Sequence, residues 1–320
     1  MRAILAASLL GAAAIAPLSV PAQTNAASER MLGAGRLQNA IDLPAGAFRS
    51  RLEALSPMAR DRALQWLNGL QFPPEDAASL RATDAGEIYY ACTFPAVPTN
   101  AAPKQPAATA ALASVPVSPF PASLKFHSKP GSTNNILFLD FDGTTVSGTA
   151  WNSSPGLPTY YAVAFSTDGD YTTYSDSEQT AIKRVWQRVA EDYAPFDIDV
   201  TTEAPASFGD RTAQAVITRS TDANGNANPS SYAGGVAYVG AFANGSFANY
   251  RPAWVYVDNL SYAEPYIAEA ASHEVGHNMG LSHDGTTAGS EYYEGHGSGA
   301  TSWSSIMGVG YFVDVSQWSK

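Results

Sequence analysis

His273-Glu274-Val275-Gly276-His277-Asn278-Met279-Gly280-Leu281-Ser282-His283-Asp284 decides what this 320-residue chain is built around. On a helix, residues four apart project from one face, about one 5.4 Å turn apart. His273 and His277 can therefore grip one metal ion. Glu274 lies about 100° round the helix, beside the metal and not on it, where it can reach a water and act as general base. Gly280 accepts the positive φ that ends a helix sharply. The chain then swings back and offers His283. Three histidine ligands leave a fourth position open for water, the ligand count of a catalytic zinc site, whereas a structural site is closed by four. Three of the five histidines of the chain fall in these positions, which surface histidines on an ordinary helix would not do.

The stretch matches the long zinc motif of the metzincin metallopeptidases at every fixed position. Asn278 and Asp284 make it resemble most the reprolysin (adamalysin-like) branch, in a bacterial-type secreted form. The resemblance implies an α+β fold with a twisted mixed sheet, an active-site helix and a Met-turn. Ser305-Ile306-Met307-Gly308 fits that turn, with Met307 as the apolar floor under the metal. It also implies Zn2+ held by His273, His277 and His283, and peptide-bond hydrolysis with Glu274 as base. Asp284 is a candidate to hold a histidine ligand in place. Some metzincins carry a metal-touching Tyr two residues after the Met. Here Gly308-Val309-Gly310 intervenes, so Tyr311 is assigned to packing. The family usually has a closing helix after the Met; the sequence given stops at Lys320, so either it is a fragment or that helix is absent.

Working outward, Met1-Arg2 and the apolar run Ala3–Ile15, broken by Pro17 and Pro21, read as a signal peptide over residues 1–22, with Val20-Pro21-Ala22 as the cleavage site. The run is short of the ~20 residues a spanning helix needs. Residues 23–93 read as a pro-segment. In it Ser56-Pro57 starts a helix with the stripe Met58, Ala63, Leu64, Leu67 and Leu70, and Glu87–Cys92 is a strand. Residues 94–129 are a Pro/Ala-rich linker, extended and unable to bury a core. Residues 130–320 are the zinc metallopeptidase catalytic domain. Asn135–Phe141, Ile198–Thr202, Ala215–Thr218, Val236–Val239 and Trp254–Val257 read as strands. Ser177–Tyr193 and Ala263–Met279 read as helices. Val236–Val239, flanked by glycines, is either an edge strand that receives substrate or an interior strand.

The net charge of −11 and the lack of clustered Lys and Arg exclude nucleic acid and anionic membranes as partners. The charge is uneven: residues 1–130 carry +3 and residues 131–320 carry −14, which suggests that the pro-segment docks electrostatically as an internal inhibitor. The expected location is extracellular or periplasmic. No membrane association is expected after signal cleavage, and the protein is expected to act as a monomer on protein or peptide substrates. One cysteine excludes a disulfide framework. Several metzincin branches block the metal with a pro-segment thiolate, which makes Cys92 a candidate cysteine switch, although Tyr90-Ala91-Cys92-Thr93-Phe94-Pro95 does not match their motifs. Its plainer reading is a small buried residue. Asp222-Ala223-Asn224-Gly225-Asn226 has half the oxygen spacing of a Ca2+ loop but lacks its closing Glu. Asp140 and Asp142 read as strand-end groups, and His127 and His296 as exposed. Lys104, Lys125 and Lys129 are candidate activation sites. The alternative functions are an inactive zinc-bound adhesion or binding module, and a hydrolase of another amide. Glu274, which such inactive domains commonly lose, favours the peptidase.

Overall fold

A computed structural model describes residues 31–93, 120–153 and 155–319. The expected signal peptide, Lys104 and most of the Pro/Ala-rich linker lie outside the described residues. The frame is a twisted mixed sheet. Its members are β3 (Leu80–Ala82), β4 (Ile88–Cys92), β5 (Ile136–Asp140), β8 (Asp199–Thr201), β9 (Thr212–Thr218), β10 (Gly235–Tyr238) and β11 (Ala253–Tyr256). Their order is β3-β4-β10-β11-β9-β5-β8. The strands β8, β5, β9 and β11 run parallel, while β10, β4 and β3 are joined by antiparallel pairings. Every residue of β9, β10 and β11 is buried, which suits Ala-, Val- and Ile-rich runs covered on both faces. Short two-stranded pairs complete the strands: β1 (Leu32–Gly33) with β2 (Gln71–Phe72), β6 (Thr144–Ser147) with β7 (Thr159–Ala162), and β12 (Trp303–Ser305) with β13 (Val315–Gln317).

The described residues form four α-helices: α1 (Ala47–Ala54), α2 (Pro57–Asn68), α3 (Asp176–Asp192) and α4 (Glu264–Asn278). α3 opens on a capping box. Ser175 Oγ accepts from the Glu178 N–H, and the Ser175 N–H donates to Glu178 Oε2 at 2.8 Å. Its face of Ile182, Val185 and Val189 is buried. In α4 every residue from Ile267 to Asn278 is buried, as expected of a helix at the centre of a domain. It packs on α3 and across β9, β10 and β11. In α2 the buried face is Ala59, Ala63 and Leu67, while Met58 is 82% exposed. Spacing had put Met58 in the stripe, but the i, i+4, i+8 series starts at Ala59.

Residues 31–93 keep their own core, built on Leu52, Leu67, Phe72, Leu80 and Ile88, but share the main sheet through β3 and β4. β4 lies along the outer side of β10, with Cys92 opposite Gly235 and Tyr89 opposite Tyr238. β10 is thus an interior strand, between β4 and β11. Trp66 adds a further joint: its Nε1 donates to the Val239 carbonyl at 2.9 Å, and its ring meets Tyr250 edge-on at 5.1 Å. Beyond Met307, where the resemblance implies a helix, the chain forms β13. Trp318 then packs on Tyr193 at 5.2 Å and donates to the Asp192 carbonyl.

Candidate metal centre

α4 carries His273 and His277 on one face and ends in a Schellman motif. Gly280 has φ +95°, its N–H donates to the His277 carbonyl at 2.9 Å, and the Leu281 N–H donates to the Gly276 carbonyl at 3.1 Å. The reversal returns His283 to the pair. Each Nδ1 has an oxygen acceptor. For His273 it is the Ile306 carbonyl at 2.7 Å, for His277 the Leu281 carbonyl at 2.7 Å, and for His283 Glu291 Oε1 at 3.1 Å. With Nδ1 donating, each Nε2 presents a lone pair. These converge: His273 Nε2 and His277 Nε2 are 3.1 Å apart, and Cys92 Sγ is 3.3 Å from His277 Nε2 and 3.4 Å from His283 Nε2. Around a tetrahedral zinc with normal bond lengths, such separations are about 3.3 Å for N···N and about 3.6 Å for N···S. The donor set of three imidazoles and one thiol, all buried, fits zinc.

Cys92 arrives on β4 with two companions. The Tyr90 ring stacks on His277, with centroids 3.9 Å apart and 11° between planes. Its hydroxyl donates to Asp76 Oδ2. Asp76, fully buried, also accepts the His283 backbone N–H at 3.2 Å and places Oδ1 3.5 Å from His283 Nδ1. Tyr292 lies over His283 at 4.3 Å. Burial pushes His273 down to about 3 and His277 well below the ordinary imidazole value, so both are neutral donors. Burial also acts on His283, but Asp76 and Glu291 outweigh it and push the ring up to about 9. These carboxylates favour positive charge at this imidazole, whether a proton or a metal supplies it. Burial raises Cys92 well above the usual thiol value, helped by nearby Glu274; a bound metal reverses that and deprotonates a coordinating thiol.

Burial pushes Glu274 up to about 8. It reaches the site only because position 235 is glycine: a Cβ there would lie 2.5 Å from Glu274 Cγ and Oε1. Met307 is buried beneath α4 by the same device, since a Cβ on Gly276 would lie 2.7 Å from Met307 Sδ. The structure thus gathers His273, His277, His283, Glu274, Met307 and Cys92 at one place. Asp284 is directed elsewhere: its carboxylate accepts from the Ser319 hydroxyl, and the carboxylates on His283 are Glu291 and Asp76. Tyr311 packs against Tyr266 at 5.3 Å. Asp222 Oδ1 accepts the N–H groups of Asn224 and Asn226 in its own loop. Asp140 Oδ2 accepts from Gln214. His127 is half-buried, not exposed, and bridges Asp199 at 2.8 Å and Glu203 at 3.2 Å. His296 is exposed and contacts the Tyr293 hydroxyl. Spacing missed Asp76, Tyr90, Glu291 and Gly235. Only Glu291, eight residues past His283, carried a local signal as an acid near the motif.

Fold and site together define a metzincin-like catalytic module: a mixed sheet, a central helix bearing two histidines, a glycine turn to the third, and a methionine below. Residues 162–284 match the model of metallopeptidase family M12B, reprolysin-like. That stretch holds all three histidines and Glu274, and the family implies a zinc-dependent metallopeptidase. No curated protein and no solved structure matches the chain. Among the described residues no helix is long and apolar enough to cross a membrane.

Proposed function

We propose that this chain is a secreted zinc endopeptidase made as a latent precursor, with residues 23–93 as the inhibitory pro-segment. The supporting observation is the Cys92 thiol, 3.3 and 3.4 Å from two ligand nitrogens on a strand paired along β10. Four protein donors close a zinc site and exclude the water that a catalytic site needs. Bound there, zinc supplies Lewis acidity and lowers the pKa of a water. The chain's own groups do the rest once the segment has left. The Nδ1 acceptors fix the three imidazoles, and β10 offers main-chain groups to an extended peptide. Glu274 takes a proton from the attacking water and returns it to the leaving amine.

Residues 1–22 direct export in this reading, to the extracellular space or periplasm. Activation falls in residues 94–119, with Lys104 the favoured site. Lys125 is paired with Glu203 at 2.8 Å, and Lys129 donates to the carbonyls of Ala194 and Phe196, so both are tied down. The mature protein acts as a monomer on proteins or peptides. A calcium ion has no part in the reading.

Casein hydrolysis tests it. The uncleaved chain should be silent, and the cleaved chain freed of its fragment active. A zinc chelator or Glu274→Ala should abolish that activity, and Cys92→Ser should change the visible absorption of the cobalt-loaded uncleaved chain. Equal activity of Glu274→Ala and wild type ends the role of the base. A cobalt spectrum indifferent to Cys92→Ser ends the role of the thiol. A second reading has support of its own, because the segment supplies both a fourth donor and two strands of the main sheet. Under it the site is permanently closed and the protein is a zinc-bound binding module. Silence of the fragment-free protein would select that reading.

A further inference from the structure

The thiol is one of two routes by which residues 31–93 reach the metal centre. The other runs from Tyr90 through Asp76 to His283. Asp76 is fully buried, more than two hundred residues from His283 in sequence, accepts that histidine's backbone N–H at 3.2 Å and sets Oδ1 3.5 Å from its ring Nδ1. Glu291, on the catalytic side, reaches the same Nδ1 from its own loop at 3.1 Å. One N–H thus faces two carboxylates, one from each side of the segment boundary, and their oxygens with Nδ1 lie within 4.8 Å of one another. A ring nitrogen has a single hydrogen to give. A carboxylate on the far nitrogen of a ligating histidine fixes the ring and raises its basicity, and its loss commonly costs about 10- to 100-fold in metal affinity.

We propose that Asp76 and Glu291 are alternative positioning residues for the third metal ligand. Asp76 is the anchor of the docked segment, and Glu291 is the partner that keeps His283 in place after the segment leaves. This deepens the latent-precursor reading and rests on it for the segment's departure. Besides the β4–β10 pairing and Trp66, the segment is then held at the metal centre by two anchors, Cys92 on the metal and Asp76 beside the ring behind it. Loss of either alone leaves the other engaged. Tyr90 serves both: its ring covers His277, and its hydroxyl holds Asp76.

The test uses full-length, cobalt-loaded protein with a protease site built into residues 94–119. After nicking, release of the N-terminal fragment is followed by size exclusion, and the metal environment by the visible cobalt absorption. Cys92→Ser should retain the fragment. Cys92→Ser combined with Asp76→Asn should release it at least about tenfold faster, on the scale of losing such a partner. Asp76→Asn should shift the cobalt spectrum of the docked form and leave that of the fragment-free protein unchanged. Glu291→Gln should do the reverse: a small effect while docked, and about tenfold faster metal loss once the fragment is gone. Asn keeps an acceptor for Tyr90 and for the backbone N–H. If it fails to fold, Tyr90→Phe, which frees Asp76 from its hydroxyl, takes its place. Equal release from Cys92→Ser and the double variant, or a cobalt spectrum indifferent to Asp76 while docked, overturns the proposal. Casein hydrolysis by the fragment-free protein tests the precursor reading separately, because silence there defeats that reading and leaves the docking result standing.

Discussion

Gly235→Ala should cripple catalysis while leaving the metal site and fold intact. The substitution adds one carbon to β10 at a position of ordinary strand geometry, so the backbone gains no strain. That carbon would lie 2.5 Å from Glu274 Cγ and Oε1 and 2.7 Å from Cδ. Normal contact begins near 3.5 Å, so the carboxylate must retreat by about 1 Å. A misplacement of about 1 Å costs on the order of a hundredfold in rate. That is about 2.7 kcal/mol of transition-state stabilisation, toward the lower end of what a general base supplies. The assay is kcat and KM of the fragment-free protein on a quenched fluorescent peptide, beside Glu274→Ala. The expected result is kcat down about a hundredfold with KM little changed, and an unaltered cobalt spectrum, because no ligand moves. A kcat within twofold of wild type in folded, metal-loaded protein would show that Glu274 does not act from this position.

Gly276→Ala drives a Cβ to 2.7 Å from Met307 Sδ and 3.1 Å from the Trp318 ring. It should destabilise by about 1–3 kcal/mol, the usual cost of overpacking, and an unchanged melting temperature would remove Met307 from beneath the helix. Burial pushes Glu269 up to about 8 and Asp192 up to about 7. The folded state then keeps protons that the unfolded state has lost, so stability should fall as pH rises from about 4 to about 8. Glu269→Gln should flatten that slope in urea melts, and an equal slope in both proteins would refute the assignment. Chelator should lower the melting temperature of wild type by several degrees, since a ligand that binds only the folded state stabilises it. No shift would argue that no metal is held.

The metal helix, the glycine turn and the Met-turn were legible because their signals are local. Two histidines one turn apart, a Gly at the reversal and a Ser-Ile-Met-Gly tetrapeptide each need only neighbouring residues. The main strands were legible as buried runs, within a few residues at each end. What spacing could not give were contacts made by distant parts of the chain. Asp76 and Tyr90 look like ordinary residues of the N-terminal segment until β4 is laid on β10. Gly235 reads as a strand-end glycine until Glu274 is seen against it. The uneven charge suggested electrostatic docking. The joints described between the two segments are strand pairing, stacked rings and hydrogen bonds from Trp66 and Arg62, and at Asp76 the segment contributes the acid.

Pairing of β4 with β10 has a consequence for the protein's life in solution. Val236, Ala237 and Tyr238 are fully buried, and β4 pairs along their outer side. Once that strand is gone, the sheet ends in a short apolar rim with open hydrogen-bonding positions, a template for any extended chain, a second copy included. In the latent-precursor reading the segment would therefore also guard against self-association. A mature protein stripped of it should be most prone to clumping when idle and best protected when a substrate lies in the place of β4.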